Sequence, residues 1–423
     1  MLIESVSGMR GVIGKDLRPD IIIDRALRFA KYTNGKKFLL ARDTRKSGEA
    51  ISQLVKGALC FYGFDVFDAG IIPTPTALLY IREHDLDGGF IITASHNPKD
   101  YNGIKFVLRD GSFPLNWNKN EYPIFSGDMG DVHKVEDAVD YHIKKVLKNN
   151  EKTGKKLRIC VDTNNGAAYS ALFRLLTAMG HDVVALNNAP SGIFVHNPEP
   201  KKEHLLELDL LLKQKACDLG FGTDPDADRL ITGISEVGIL SEEYTLPLAI
   251  IGYGSGDYVV VNYSTSMLSD YAARKIGAKI VKTKVGEANV VSKMKEINAH
   301  LGGEGNGGVI FSHINSARDS LVGAFYITKL AEKGILKDIV LSFPVYYLVK
   351  EKIKLTEQID IFRLKSALNA DFISEEDGLY FEWPDAWLHV RKSNTEPIIR
   401  IYAESTAEER AKDLIKRAVS LLS

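Results

Sequence analysis

Cysteine is scarce in this chain, and what little there is does not pair by spacing. Cys60, Cys160 and Cys217 stand far apart among 423 residues, odd in number and with no Cys-x-x-Cys. That argues against a disulfide framework or a zinc site and fits a reducing cytosol. An excess of one charge is lacking too. The formal net charge is -1, so nothing in the balance favours nucleic acid or an anionic membrane surface, and anion binding has to come from local clusters. No uninterrupted apolar run reaches the roughly 18 residues that a membrane span needs. The N-terminus, Met-Leu-Ile-Glu-Ser-Val-Ser-Gly-Met-Arg, sets an acid where a signal peptide needs an apolar core. The expectation is a cytoplasmic, soluble protein with no nucleic-acid and no membrane partner. With 45% apolar and 26% charged residues it reads as globular, long enough for several cores at roughly 100–200 residues per domain.

What is present is a repeating alternation. An amphipathic stretch from Ile21 to Tyr32 reads as helix, Phe38-Leu39-Leu40 as strand, Ser47 to Gly63 as helix, and the region near Val66 as strand. A turn at Pro73 and Pro75, a helix from Thr76 to Glu83 and the strand Phe90-Ile91-Ile92 follow. The pattern restarts at Leu157–Asp162 and again at Gly256–Val261. Strands alternating with crossover helices predict a mostly parallel, doubly covered sheet, whose ligand site lies at the C-terminal strand ends, where Arg42, Arg45 and Ser95 fall. The fold class expected is α/β: three similar mixed or parallel-sheet α/β domains plus a smaller C-terminal α+β domain around a central cleft. The expected boundaries are 1–150, 151–254, 255–352 and 353–423, with the polar run Lys148 to Lys156 as a linker.

Four polar loops carry the chemistry. The first is Thr93-Ala94-Ser95-His96-Asn97-Pro98. The apolar strand before it stops there, because Pro98 cannot continue a ladder and biases Asn97 away from helix. A serine at a strand tip has a rigid base and an exposed hydroxyl, and His96 and Lys105 supply groups that move protons or bind anions. The second is Thr223-Asp224-Pro225-Asp226-Ala227-Asp228-Arg229. Three carboxylates about 5 Å apart repel by roughly 3 kcal/mol per pair at an effective dielectric near 20. Water relieves that strain on a surface turn; a hard cation such as Mg²⁺ relieves it in a site.

The third is the glycine-rich run 302–308, which displays Glu304 and Asn306 on bare backbone, suited to sugar hydroxyls. No Lys-Ser or Lys-Thr follows, so a P-loop does not fit. The fourth, Arg391-Lys392-Ser393-Asn394-Thr395-Glu396-Pro397 with Arg400, combines guanidinium groups, hydroxyls and turn amides into a cradle for a phosphate dianion.

Together these runs resemble the α-D-phosphohexomutases over essentially the whole chain, one motif per domain and in the family's order. The resemblance implies a phosphoserine at Ser95 that lends its phosphoryl group to one hydroxyl of a hexose phosphate and recovers it from the other. It implies Mg²⁺ on Ser95, Asp224, Asp226 and Asp228, with hexose 1,6-bisphosphate as phosphorylating activator. Arg10, in Ser7-Gly8-Met9-Arg10-Gly11, matches the arginine that reaches the phosphoserine, and Lys284 a lysine that approaches the substrate. Arg229 is expected to face the bridging phosphoryl oxygens. Glu304 and Asn306 would hold sugar hydroxyls; Arg391, Ser393, Asn394, Thr395 and Arg400 would hold the substrate phosphate. Lys105 is the first candidate general acid/base, on the expectation that a desolvated lysine among cations has a lowered pKa, and His96 the second. Pro225 departs from the glycine of many members and should stiffen the metal loop.

Asn306, the Asp-Pro-Asp-Ala-Asp-Arg loop and the run His196-Asn197-Pro198-Glu199-Pro200 resemble the branch that moves phosphate between the 6- and 1-positions of glucosamine. Mannose and glucose phosphates are the alternatives inside the family. A non-catalytic sugar-phosphate-binding protein and a metal-dependent phosphatase are the alternatives outside it. The partner implied is a small-molecule hexose phosphate, met by a monomer or homodimer whose last domain opens and closes on the cleft.

Overall fold

The computed structural model describes residues 2–5, 8–117, 120–125, 127–148, 154–354, 361–393 and 398–422. Asn394 and Thr395 lie outside the described residues. The first sheet contains β1 (Ile3–Ser5), β2 (Gly8–Val12), β3 (Lys37–Arg42), β4 (Asp65–Ile71), β5 (Gly88–Ile92), β6 (Tyr101–Leu108) and β7 (Val132–Lys134). Their order is β1-β2-β6-β5-β3-β4-β7. The second contains β8 (Arg158–Asp162), β9 (Asp182–Leu186), β10 (Leu219–Thr223), β11 (Leu230–Ile234) and β12 (Gly238–Ile239), ordered β12-β11-β10-β8-β9. The third contains β13 (Tyr258–Asn262), β14 (Lys279–Thr283), β15 (Leu301–Glu304) and β16 (Gly308–Phe311), ordered β14-β13-β15-β16.

One wiring recurs in all three. A first strand pairs in parallel with a second and with a third, and the third turns back into an antiparallel partner. β3-β4-β5-β6, β8-β9-β10-β11 and β13-β14-β15-β16 are equivalent sets. In each set the bend between the third and fourth strands holds one of the polar loops. The inner strands are apolar because helices cover both faces; β5 and β10 are buried along their whole length. The first crossover helix, Pro19–Thr33, shows why the helices form where they do. Pro19 opens it, Asp20 complements its N-terminal dipole, and Asn34 closes it with φ 53°.

The fourth sheet is antiparallel: β17 (Tyr347–Lys354), β18 (Phe372–Ser374), β19 (Leu379–Trp383), β20 (Ala386–Lys392) and β21 (Ile398–Ser405), ordered β17-β21-β20-β19-β18. The helix Glu408–Leu422 buries Leu414, Ala418 and Leu422 against it.

Two expected boundaries move. β17 pairs with β21, so residues 347–352 belong to the fourth unit and not to the third. The helix Thr245–Tyr253 packs with Leu268–Lys275 and Ser320–Glu332, so the second unit ends before it, ahead of 254. Smaller differences have local causes. Pro75 sits inside the first turn of the helix Thr74–Glu83, where a missing N–H costs nothing. The expected helix from Glu203 to Lys215 is a short 3₁₀ turn, Lys202–His204, followed by Leu206–Lys213. Cys160 in β8 and Cys217 just ahead of β10 are joined as a disulfide with Cα atoms 5.9 Å apart, a single bridge that the spacing of the cysteines does not announce. β8 and β10 are neighbours in space, a proximity that a separation of 57 residues hides in the sequence. Among the described residues no helix is long and apolar enough to cross a membrane.

Candidate active site

The three bends and the fourth sheet face one cavity of about 1020 Å³. Arg10, Ser95, His96 and Lys105 line it from the first domain, Arg229 from the second, Glu304 and Asn306 from the third, and Arg391, Ser393 and Arg400 from the fourth. Lys284 does not: it is exposed and outside the lining.

Ser95 follows β5 with φ 49°, in the left-handed region. For a residue with a Cβ that conformation costs of order 1 kcal/mol and persists only where its surroundings impose it. Its Oγ donates to Asp224 Oδ2 at 2.9 Å and lies 3.3 Å from His96 Nδ1. Arg10, brought in on β2 opposite Gly103 of β6, donates to the Asn97 side-chain oxygen at 2.9 Å. A Cβ on Gly103 would stand 2.2 Å from the Met9 carbonyl oxygen, so only glycine lets β2 come this close. The nearby Arg229 charge, with burial and Arg10 behind it, holds His96 well below the usual imidazole range.

The carboxylate loop is clamped from several sides. Pro225 O accepts from Ala167 N at 2.7 Å, and Thr74 of the first domain donates to Asp226 through both its N and its Oγ1. One oxygen from each of Asp224, Asp226 and Asp228 falls within 4.8 Å of the others. Among the described residues Asp226 Oδ1 and Asp228 Oδ1 are buried with no hydrogen-bond partner. Two orphaned anionic oxygens beside a third carboxylate and a serine hydroxyl fit a divalent cation. Burial and its two neighbours raise the Asp224 pKa well above the usual range.

Lys105 overturns its expected state. It lies within β6, opposite Ile91, and its Nζ donates to Asp226 Oδ2 at 2.6 Å and Asp228 Oδ2 at 2.9 Å. Burial alone would lower its pKa; the two carboxylates outweigh burial and raise it. The ammonium is therefore held charged among anions.

Glu304 ends β15 with its carboxylate already engaged: Oε1 accepts from Asn262 and Gly286 N, and Oε2 from Arg318. Asn306 Oδ1 accepts from Gly308 N at 3.2 Å. Arg318 was not singled out in the sequence. Its guanidinium joins Asp228 at 2.8 Å, Glu304 at 3.0 Å and Glu287 at 3.0 Å, linking the carboxylate loop to the glycine-rich loop. The one signal for it was an arginine directly ahead of Asp319, the N-cap of the helix Ser320–Glu332. Glu243 was missed as well. It lines the cavity behind Gly305, accepts from Ser266 N, and burial pushes its pKa up to about 8.

In the fourth sheet Arg391 of β20 and Arg400 of β21 are direct cross-strand partners. Like charges directly opposed are destabilising unless an anion sits between them. Among the described residues Arg391 Nε has no hydrogen-bond partner, and burial lowers the Arg391 pKa.

Matches to known proteins agree with this geometry. Four family profiles cover the chain in order: phosphoglucomutase/phosphomannomutase alpha/beta/alpha domain I over 2–118, domain II over 140–236, domain III over 244–344 and the C-terminal domain over 346–421. The chain belongs to the α-D-phosphohexomutase family. It is a mutase by that membership, and the buried acidic triad marks it as one that takes a divalent metal. A probable phosphoglucosamine mutase from Methanopyrus kandleri is 34% identical, covering 98% of this chain and 96% of the relative. A phosphoglucomutase/phosphomannomutase from Thermococcus kodakarensis is 33% identical over 98% and 97%. A crystal structure of a phosphoglucomutase/phosphomannomutase family protein from Burkholderia thailandensis superposes with a TM-score of 0.87 at 25% identity, covering 99% and 97%.

Proposed function

We propose that this phosphohexomutase interconverts glucosamine 6-phosphate and glucosamine 1-phosphate in the cytoplasm, with Ser95 as phosphoryl carrier, Mg²⁺ on the aspartate triad and a hexose 1,6-bisphosphate to charge the serine. The observation that carries this reading is the pairing of a serine hydroxyl, bonded to a buried carboxylate triad, with two opposed arginines across the same cavity. One end of a sugar bisphosphate fits each. Relatives named probable phosphoglucosamine mutase at 34% and 30% identity support the amino-sugar branch.

In this reading Arg391, Ser393 and Arg400 dock the phosphate already on the sugar, with Asn394 and Thr395 completing the loop. That places the other hydroxyl at Ser95. Bound metal supplies positive charge for the loose phosphoryl-transfer transition state. Arg10 and Arg229 add charge on the cavity side, and Lys105 adds it from below, neutralising Asp226 and Asp228. His96, 3.3 Å from Ser95 Oγ, is the group within reach to hand a proton to and from the serine oxygen. Glu304 and Asn306 take sugar hydroxyls. The bisphosphate then turns end for end and returns its other phosphate to Ser95.

The test is phosphorus NMR of the enzyme with Mg²⁺ and a trace of hexose 1,6-bisphosphate, offered the 1-phosphates of glucosamine, glucose and mannose together. Fastest conversion of the glucosamine compound to its 6-phosphate supports the reading. Preference for glucose or mannose would move the chain to the other branch, in line with the Thermococcus relative's name. Release of free phosphate alone would refute the mutase reading.

A further inference from the structure

We propose that Arg45, which does not line the cavity, is a positioning residue that grips the serine loop from beneath and holds Ser95 in its left-handed conformation. The inference rests on Ser95 carrying the phosphoryl group. Arg45 follows β3, and its side chain is 1% exposed. A guanidinium has five N–H donors, and each one is used. Nε donates to Asp43 Oδ2 at 3.1 Å. One terminal nitrogen donates to the carbonyls of Pro98 at 2.7 Å and Tyr101 at 3.0 Å. The other donates to the carbonyls of Ser95 and Asn97, each at 2.6 Å.

Four carbonyl oxygens converging on one point repel one another, and only a planar, delocalised cation can gather them. A lysine offers three donors from a single atom and lacks that fork. The same Asp43 holds the loop from the other side. Thr93 Oγ1 donates to Asp43 Oδ2 at 2.7 Å and accepts from Ser95 N at 2.8 Å. The peptide units flanking Ser95 are thus fixed through its N–H and its C=O by one carboxylate–guanidinium pair. Side-chain rotation is the freedom left, and it aims Oγ at Asp224.

The second domain closes the underside. The Phe194 ring lies 4.9 Å from the guanidinium carbon. A Cβ on Gly192, which has φ +65°, would stand 2.0 Å from the Thr44 carbonyl oxygen. The cation is sealed from water and too deep to meet substrate, so its loss should slow transfer at Ser95 without weakening the phosphate cradle of the fourth domain.

The experiment compares wild type with R45K, R45G and T93V, each checked for folding by circular dichroism. Phosphoserine formed at residue 95 on incubation with a hexose 1,6-bisphosphate is read by mass spectrometry, alongside kcat and KM for the sugar 1-phosphate. R45K is expected to lose about a hundredfold in kcat and in the rate of Ser95 phosphorylation, as for misplacement by about an ångström, with KM within about twofold. Added guanidinium ion should restore R45G at least about tenfold. T93V should repeat the kcat-only loss with the guanidinium in place, and it decides the matter if R45G does not fold. Wild-type kcat in R45K, an equal rise in KM, or a folded R45G that guanidinium does not restore would overturn the assignment. Absence of phosphoserine in the wild type would instead overturn the reading of Ser95.

Discussion

The three wound domains and the fourth hold their functional groups in opposite ways. In the first three, an acid or amide stands at the tip of the first strand: Asp43 reaches its bend through Thr93 and Asn262 meets Glu304 at the edge of its bend, while the second bend is held by Ala167 N and Thr74. Asp43, Asp162 and Asn262 occupy equivalent places, and each accepts from the backbone N–H two residues on at 2.8 Å. The fourth domain instead offers two arginines on adjacent antiparallel strands and meets the third through side-chain hydrogen bonds. Glu404 accepts from Ser266 and Met267 N, Ser264 meets His389, Tyr263 meets Ser374, and Asp377 accepts from Val285 N. One small aromatic cluster of Tyr263, Tyr380 and Trp387 accompanies them. On the proposed mechanism, chemistry sits where the backbone is held by many bonds, and phosphate capture sits on the domain joined to its neighbour mainly through side chains.

That division can be broken by experiment. The largest effect belongs to Ser95→Ala, which should cut turnover by about 10⁴-fold or more while calorimetry still shows sugar phosphate binding. Loss of binding together with turnover would merge the two roles. Arg391→Ala should raise KM by about a hundredfold, some 2.7 kcal/mol, as for loss of a charge-assisted phosphate contact. A KM left unchanged would remove the fourth domain from phosphate capture.

Asp162→Ala sharpens the comparison among the repeats. Asp162 holds Asn164 N, Asn187 and His196, and none of these groups lines the cavity. The change should cost about 2–3 kcal/mol of stability in urea titration and leave kcat intact, unlike the same change at Asp43.

The smallest effect is at the seam. Glu243 has its folded pKa raised to about 8 by burial, so its contribution to stability is full below its unfolded value and is lost as pH rises through about 8. Glu243→Gln should gain about 1 kcal/mol relative to wild type for each pH unit between 5 and 8, read as a difference in melting temperature. A difference that does not change with pH would show that Glu243 is already ionised in the folded protein.

Much of this was legible in the sequence, and the gaps have physical causes. Phe90-Ile91-Ile92 and Val259-Val260-Val261 announce themselves because a strand covered on both faces is apolar throughout. The return strands do not. β6 carries Asn102, Gly103 and Lys105, and Lys105 is buried only because Asp226 and Asp228, more than 100 residues on, neutralise it. The glycines of 302–308 read as one loop, although Gly302 to Glu304 and Gly308 are strand and the bend is only Gly305 to Gly307. Ser95, the aspartate triad and the two arginines stand out in the sequence because each belongs to a local motif, and the structure brings them to one region. Arg318 and Glu243 do not stand out because their partners come from distant segments, and Lys284, singled out on a match, lies outside the cavity lining.

The seam between the third and fourth domains has a consequence for the pace of the reaction. Most of its bonds join polar groups that water can satisfy nearly as well, one for one. On the proposed mechanism, opening the cleft exchanges these partners and leaves the large apolar cores closed. A bisphosphate turning inside the cavity, as proposed, need not wait for a core to come apart. Its pace is then expected to follow the entry and exit of solvent at a hydrogen-bonded seam, with a phosphate held between Arg391 and Arg400 favouring the closed side.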